Sequence, residues 1–207
     1  MLGRLPLVRY GTTESGLNVS NPVAGPRGDT IGVPLPGMLV RIGTGDGAAS
    51  GLADPGADGE IQLRGPHVFS GYWDDPAGSQ AAFTPDGWFR TGDIGTLDPA
   101  TGHLVIRGRT KEMIISGGLN VYPREVEIAL ERHPSVAEAA VAGVPDERWG
   151  ERVTAWVVLR DGHEFDDDAL IAHARTLLAA YKCPKRVFRL AALPRNQLGK
   201  IVRGALG

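Results

Sequence analysis

"GRTKEMIISGGLNVYPREVE", residues 108–127, is where the texture of the chain changes, and its reading decides the fold. Before it the apolar runs are short and strand-like: Val33 to Ile42, Glu60 to Leu63, Trp88 to Phe89 and Leu104 to Ile106. Four pieces rich in glycine or proline punctuate them, GVPLPG (32–37), GTGDGAASG (43–51), DPGADGE (54–60) and DPATG (98–102). Glycine supplies positive φ and proline presets turns, so short strands joined by tight turns are expected, with a hairpin across Pro99–Gly102. After the stretch, helices and strands alternate. Pro123 at a first helical position, Glu125 and Glu127 in the first turn, Val126, Ala129 and Leu130 at helical spacing and Pro134 as a stop predict a short amphipathic helix. VAEAAVAGV (136–144) and RVTAWVVLR (152–160) predict strands. Asp166 or Asp167 caps a second helix with Leu170, Ile171, Ala174, Leu177 and Leu178 on one stripe. KRVFRL (185–190) predicts a last strand, and GKIVRGAL (199–206) a last turn or short helix. The expected fold is α+β. A β-rich, partly barrel-like N-terminal subdomain over residues 1–110 precedes a small α/β domain over 111–207, with a short mixed sheet flanked by helices.

Composition narrows the function classes. The chain has 207 residues, 42% hydrophobic and 22% charged, enough for a sizeable core. A formal charge of −2, with Lys and Arg scattered among Asp and Glu, gives no field for polyanions, so nucleic acid is an improbable partner. No run reaches about 18 apolar residues, and no membrane span is expected. One cysteine, Cys183, leaves no internal disulfide and no thiolate cluster for a metal. A soluble protein of the cytoplasm is expected.

Four stretches can carry chemistry. RYGTTESG (9–16) places an aromatic ring, a close-approach glycine, two hydroxyls and a carboxylate within a few residues, a set able to stack a base and hold Mg²⁺ and a phosphate. In WFRTGDIG (88–95), Asp93 on a turn can accept from both hydroxyls of a ribose. Arg109 can donate to ribose or phosphate, and Gly117-Gly118 removes side chains where a ligand passes close to backbone. Finally, LPRNQLGKIVRGALG (193–207) puts Lys200 after a glycine near the chain end, where a loose tail is expected.

Taken in order, YGTTE (10–14), GEIQLRG (59–65) with GYW (71–73), GWFRTGD (87–93), GRTKEMIISGGLNVYPREVE and PRNQLGKIVR (194–203) resemble the adenylate-forming superfamily of acyl-CoA synthetases, adenylation domains and luciferases. Within it the chain resembles acyl-CoA synthetases of the fatty-acid or malonyl-CoA ligase type. The resemblance implies a carboxylic acid activated by ATP to an acyl adenylate, then transferred to coenzyme A, with ATP, Mg²⁺ and coenzyme A as cofactors. It implies Tyr10 and Gly11 at the adenine, Thr13 at phosphate, Glu14 on Mg²⁺, Asp93 and Arg109 on the ribose, and Lys111 as a hinge. It further implies Gly117 and Gly118 along the pantetheine arm, and Lys200 between the substrate carboxylate and the α-phosphate. Arg9 resembles a malonyl-CoA synthetase feature and could pair with a second carboxylate of the acid. The superfamily's glycine- and hydroxyl-rich ATP loop does not occur in the sequence. The chain is therefore expected to be the C-terminal part of a ligase that needs its N-terminal region, and to be inactive alone. A non-catalytic remnant, a half-enzyme and an adenylation domain serving a carrier protein are the competing expectations.

Overall fold

The computed structural model describes residues 7–44 and 51–206. Most of the glycine-rich piece 43–51, expected as a turn, lies outside the described residues. The chain divides into two compact units, Met1–Thr110 and Lys111–Gly207.

The first unit is built almost wholly of strands. β1 (Arg9–Thr12), β2 (Gly16–Ser20) and β3 (Val33–Pro34) form a three-stranded antiparallel sheet. A four-stranded antiparallel sheet follows in chain order, β4 (Leu39–Gly43), β5 (Gly59–Arg64), β6 (Phe89–Leu97) and β7 (Leu104–Arg109). The expected run from Val33 to Ile42 is thus two strands. Pro34 and Pro36 lack the N–H that a continuing ladder needs, and Gly37 turns the chain with φ +84. The same break corrects the expectation of a partly barrel-like subdomain: among the described residues the sheets stay open. A short helix, α1 (Pro76–Ala81), was not read from the sequence; Asp75 caps it by accepting from the Gly78 N–H.

The two sheets meet where Ile31 N–H donates to Leu104 O at 3.0 Å and Leu104 N–H donates to Gly32 O at 2.7 Å. Gly32 has φ +100, and a Cβ there would collide with the Ser20 carbonyl. Only glycine fits such a position. The core beneath gathers Tyr10, Val19, Ile61, Leu63, Phe89 and Leu104.

The second unit is a five-stranded mixed sheet carrying two helices. β8 (Ile114–Ser116) and β9 (Leu119–Val121) close a hairpin over Gly117-Gly118, whose φ of +60 and +78 match the two-residue turn that right-handed strand twist prefers. β10 (Val136–Asp146) and β11 (Gly150–Leu159) form a long antiparallel pair, so the expected turn of PDERWGE shrinks to Glu147–Trp149. β12 (Arg186–Arg189) adds in parallel to β11. α2 (Pro123–Glu131) and α3 (Asp167–Leu177) bury Val126, Leu130, Leu170 and Ala174 against this sheet, and Asp166 caps α3. Cys183 is one of the packed core residues.

Gly32→Ala is expected to destabilise the first unit by about 2 kcal/mol or more, since the new methyl is strained in both conformation and space. Thermal unfolding checks this; an unchanged midpoint would contradict the inferred close approach.

Candidate functional site

In the first unit three of the expected residues converge on one carboxylate. Tyr10 on β1 donates its hydroxyl to Asp93 Oδ2 at 2.6 Å, although the two lie 83 positions apart. From the neighbouring strand, across from Asp93 in register, Arg109 brings Nε to 3.0 Å of Asp93 Oδ1. The Asp93 side chain is 7% exposed and that of Arg109 63%. Burial first, and the Asp93 charge second, hold the Tyr10 phenol far above its usual range. Its ring is packed in the core instead of standing as an open face.

Backbone irregularity aims these groups. The β1–β2 register shifts between Tyr10 and Gly11, and the β6–β7 register shifts between Ile94 and Gly95. Such bulges redirect side chains at functional sites. Gly11 has no room for a Cβ because the Gly16 carbonyl occupies that space. Ahead of Asp93, the buried Glu60 carboxylate accepts from Arg90 Nε at 2.9 Å and from the Gly92 N–H at 3.2 Å. Thr91 Oγ1 donates to Ile61 O and accepts the Asp93 N–H. Glu60 went unread because a strand glutamate in GEIQLRG looks like an exposed polar alternation.

Beside this cluster on the chain, Glu14 accepts from the Tyr72 hydroxyl at 3.2 Å, and Phe69 N–H donates to Glu14 O at 2.7 Å. Tyr72 is held edge-on to Phe69 with ring centroids 4.8 Å apart. The Thr12 and Ser15 hydroxyls bond each other at 2.8 Å. Thr13 and Arg9 are exposed and have no side-chain partner among the described residues. The residues of β1 and the following turn therefore supply hard oxygen donors from Thr13 and Glu14 and a free cation from Arg9. No group of three or more His, Cys, Asp or Glu suited to a metal occurs among the described residues.

The second unit holds Lys111, Gly117, Gly118 and Lys200. Lys111 opens the unit and lines a polar hollow of ≈ 250 Å³ with Glu112, Glu151 and Arg203. Gly117 N–H donates to Trp149 O at 2.8 Å, and a Cβ on Gly117 would stand 3.0 Å from the Trp149 ring. Arg148 lies 4.9 Å and Lys185 Nζ 5.7 Å from the centroid of that indole. Lys182, by contrast, is spent on Glu125 at 2.7 Å. Trp149 was missed because the turn that carries it is brought to the glycine pair only by tertiary pairing of Gly150 with Ser116.

Lys200 sits on a tightly bonded turn, not on the loose tail expected from its position. Asn196 N–H donates to Lys200 O at 2.9 Å, and Asn196 Oδ1 accepts from the N–H groups of Leu198 and Lys200 at 3.0 Å each. The exposed Lys200 ammonium has no partner among the described residues. Just beyond the turn, Arg203 reaches the buried Glu127 at 2.7 Å, Glu112 at 3.2 Å and Val141 O at 3.2 Å. Glu127, whose side chain is 2% exposed, also accepts from the Val141 N–H at 3.1 Å. This pair ties the Lys200 turn to α2 and β10.

The chain thus carries a Tyr–Asp–Arg cluster on the open sheets of its first unit and an exposed lysine on a turn of its small mixed-sheet second unit. Among family models, residues 2–73 match "AMP-binding enzyme" and residues 125–200 match "AMP-binding enzyme C-terminal domain". The chain belongs to the AMP-binding enzymes, the acyl-CoA synthetase superfamily that its motifs resemble. It is 43% identical over 218 residues to the mitochondrial malonate–CoA ligase ACSF3 of Bos taurus, which covers 96% of this chain and 37% of that protein. To the indoleacetate–CoA ligase of Aromatoleum aromaticum it is 45% identical over 201 residues, 95% of this chain and 38% of that protein. Among solved structures, ATP-bound MatB from Rhodopseudomonas palustris superposes with a TM-score of 0.91 at 40% identity, covering 99% of this chain and 40% of that one. The chain thus spans about two fifths of the length of the relatives it matches. Among the described residues no helix is long and apolar enough to cross a membrane.

Arg203→Ala is expected to lower the stability of the second unit by about 2–4 kcal/mol, because it strips a buried carboxylate of its main partner. Urea unfolding followed by Trp149 and Trp156 emission, with hydrogen exchange at the Lys200 amide, checks this. Unchanged unfolding and unchanged protection would show that Glu127 is satisfied without Arg203.

Proposed function

We propose that the chain is the C-terminal part of an AMP-forming acyl-CoA ligase, completed by an N-terminal part that carries the ATP loop. The observation that carries this reading is the convergence of Tyr10, Asp93 and Arg109, from three separated motifs, on one carboxylate. In the first half-reaction a carboxylate oxygen of the acid attacks the α-phosphorus of ATP, the bond to pyrophosphate breaks, and an acyl adenylate forms. In the second the thiol of coenzyme A attacks the acyl carbon and AMP leaves. Asp93 accepts from the ribose hydroxyls with Arg109 at its side. Lys200, a compact cation without a competing partner among the described residues, neutralises charge as it builds on the α-phosphate and the attacking carboxylate.

Glu14 and Thr13 are hard oxygen donors of the kind Mg²⁺ accepts, and Mg²⁺ is commonly held by one or two carboxylates together with the substrate's phosphates. When bound there, the ion would offset phosphate charge. Lys111, where the second unit begins, is the proposed hinge about which that unit reorients between the half-reactions. Gly117 and Gly118 leave room for the pantetheine arm, and the Trp149 indole, with Arg148 and Lys185 against it, offers an aromatic, cationic surface for the nucleotide of coenzyme A. Because the relatives carry CoA-ligase names, coenzyme A is favoured over a carrier protein as acceptor. The buried, unpaired Cys183 suits a reducing compartment, and the cytoplasm is the one proposed.

Fused to the N-terminal part of R. palustris MatB, the chain is expected to form acyl-CoA, while the 207-residue chain alone forms none. In the fusion, Lys200→Ala should slow adenylate formation about 10²–10³-fold and leave transfer from a supplied acyl adenylate nearly unchanged. Equal losses in both half-reactions would contradict the assigned role. For the acid, the exposed Arg9 cation, without a side-chain partner among the described residues, favours a second anionic group, as in malonate. Arg9→Ala should then raise KM for malonate about tenfold and leave a monocarboxylate unaffected; preference of the unaltered fusion for hexanoate would refute the assignment.

A further inference from the structure

We infer that Tyr10 is a positioning residue, whose buried hydroxyl clamps Asp93 so that the carboxylate keeps one free acceptor site on each oxygen for a vicinal diol. The inference rests on the reading of Asp93 as the ribose ligand and adds how that ligand is set. An ionised carboxylate offers about four lone-pair positions. Tyr10 takes one on Oδ2 at 2.6 Å, and Arg109 takes one on Oδ1 at 3.0 Å. What remains is one position on each oxygen, and a ribose presents two adjacent hydroxyls, each with one proton to donate. The two partners differ in exposure: Tyr10 is 8% exposed and the Arg109 side chain 63%. The phenol therefore closes the buried edge of the carboxylate, and the diol approaches along Arg109.

A phenol suits the clamp better than a second cation would. It donates one short bond to a charged acceptor, and burial and that same charge favour its protonated, donating form. The ring is packed in the core with Val19, Leu63 and Leu104, which fixes the direction in which the hydroxyl points. Two further bonds set the backbone of the acceptor: Glu60 holds the Gly92 N–H, and Thr91 Oγ1 holds the Asp93 N–H. With the backbone fixed, the torsion that swings the carboxyl group is the freedom left, and Tyr10 removes it.

The test compares AMP with 2′-deoxy-AMP on the fusion to the MatB N-terminal part, before and after Tyr10→Phe, which keeps the ring and deletes the hydroxyl. The unaltered protein should prefer AMP about tenfold, and the variant should bind AMP about tenfold more weakly, with the preference falling toward one. Loss of general packing would weaken both nucleotides alike and leave the ratio intact, and an intact ratio overturns the clamp. Absence of AMP binding by the unaltered fusion overturns the ligase reading and the clamp with it.

Discussion

A carboxylate with almost no water around it must be met by donors, and Asp93 imposes that condition on the whole first unit. One donor, Tyr10, comes from the three-stranded sheet, and the other, Arg109, from the last strand of the four-stranded sheet. The sheets must therefore dock in one register, and the Gly32–Leu104 exchange of hydrogen bonds is where the backbone meets that demand. The bulges at Tyr10–Gly11 and Ile94–Gly95 flank the same carboxylate. Fold and site in this unit are one problem with one solution.

The second unit solves a similar problem with a different partner. Glu127 lies on the apolar face of α2, where its charge is met by Arg203 at 2.7 Å, the Val141 N–H at 3.1 Å and, more distantly, Arg124 at 3.4 Å. The Arg203 bond fixes the segment just past Lys200, so a lysine near the chain end stands on a closed turn with its ammonium free. A catalytic cation needs this combination of a held backbone and an unspent charge.

The sequence made the alternation of elements legible, because proline stops, glycine turns and the spacing of Val126, Ala129 and Leu130 are local signals. It also singled out Tyr10, Glu14, Asp93, Arg109 and Lys200 through ordered motifs. What it hid is tertiary. The barrel-like expectation failed because Pro34 and Pro36 end a ladder that hydrophobicity alone would continue. Glu60, Tyr72 and Trp149 were passed over, and Glu127 was read only as a first-turn acid, because each looks ordinary in its own segment and gains meaning only from a partner far along the chain. The bond between Tyr10 and Asp93 belongs to the same class: both residues stood out, but nothing local says that they touch.

The central claim is that these residues form an adenylate site. Hydrogen exchange on the fusion to the MatB N-terminal part, with and without a non-hydrolysable acyl-adenylate analogue, tests it directly. Added protection is expected at residues 9–14, 91–93 and 109 of the first unit. Binding that leaves those segments unprotected, or no binding at all, would contradict it.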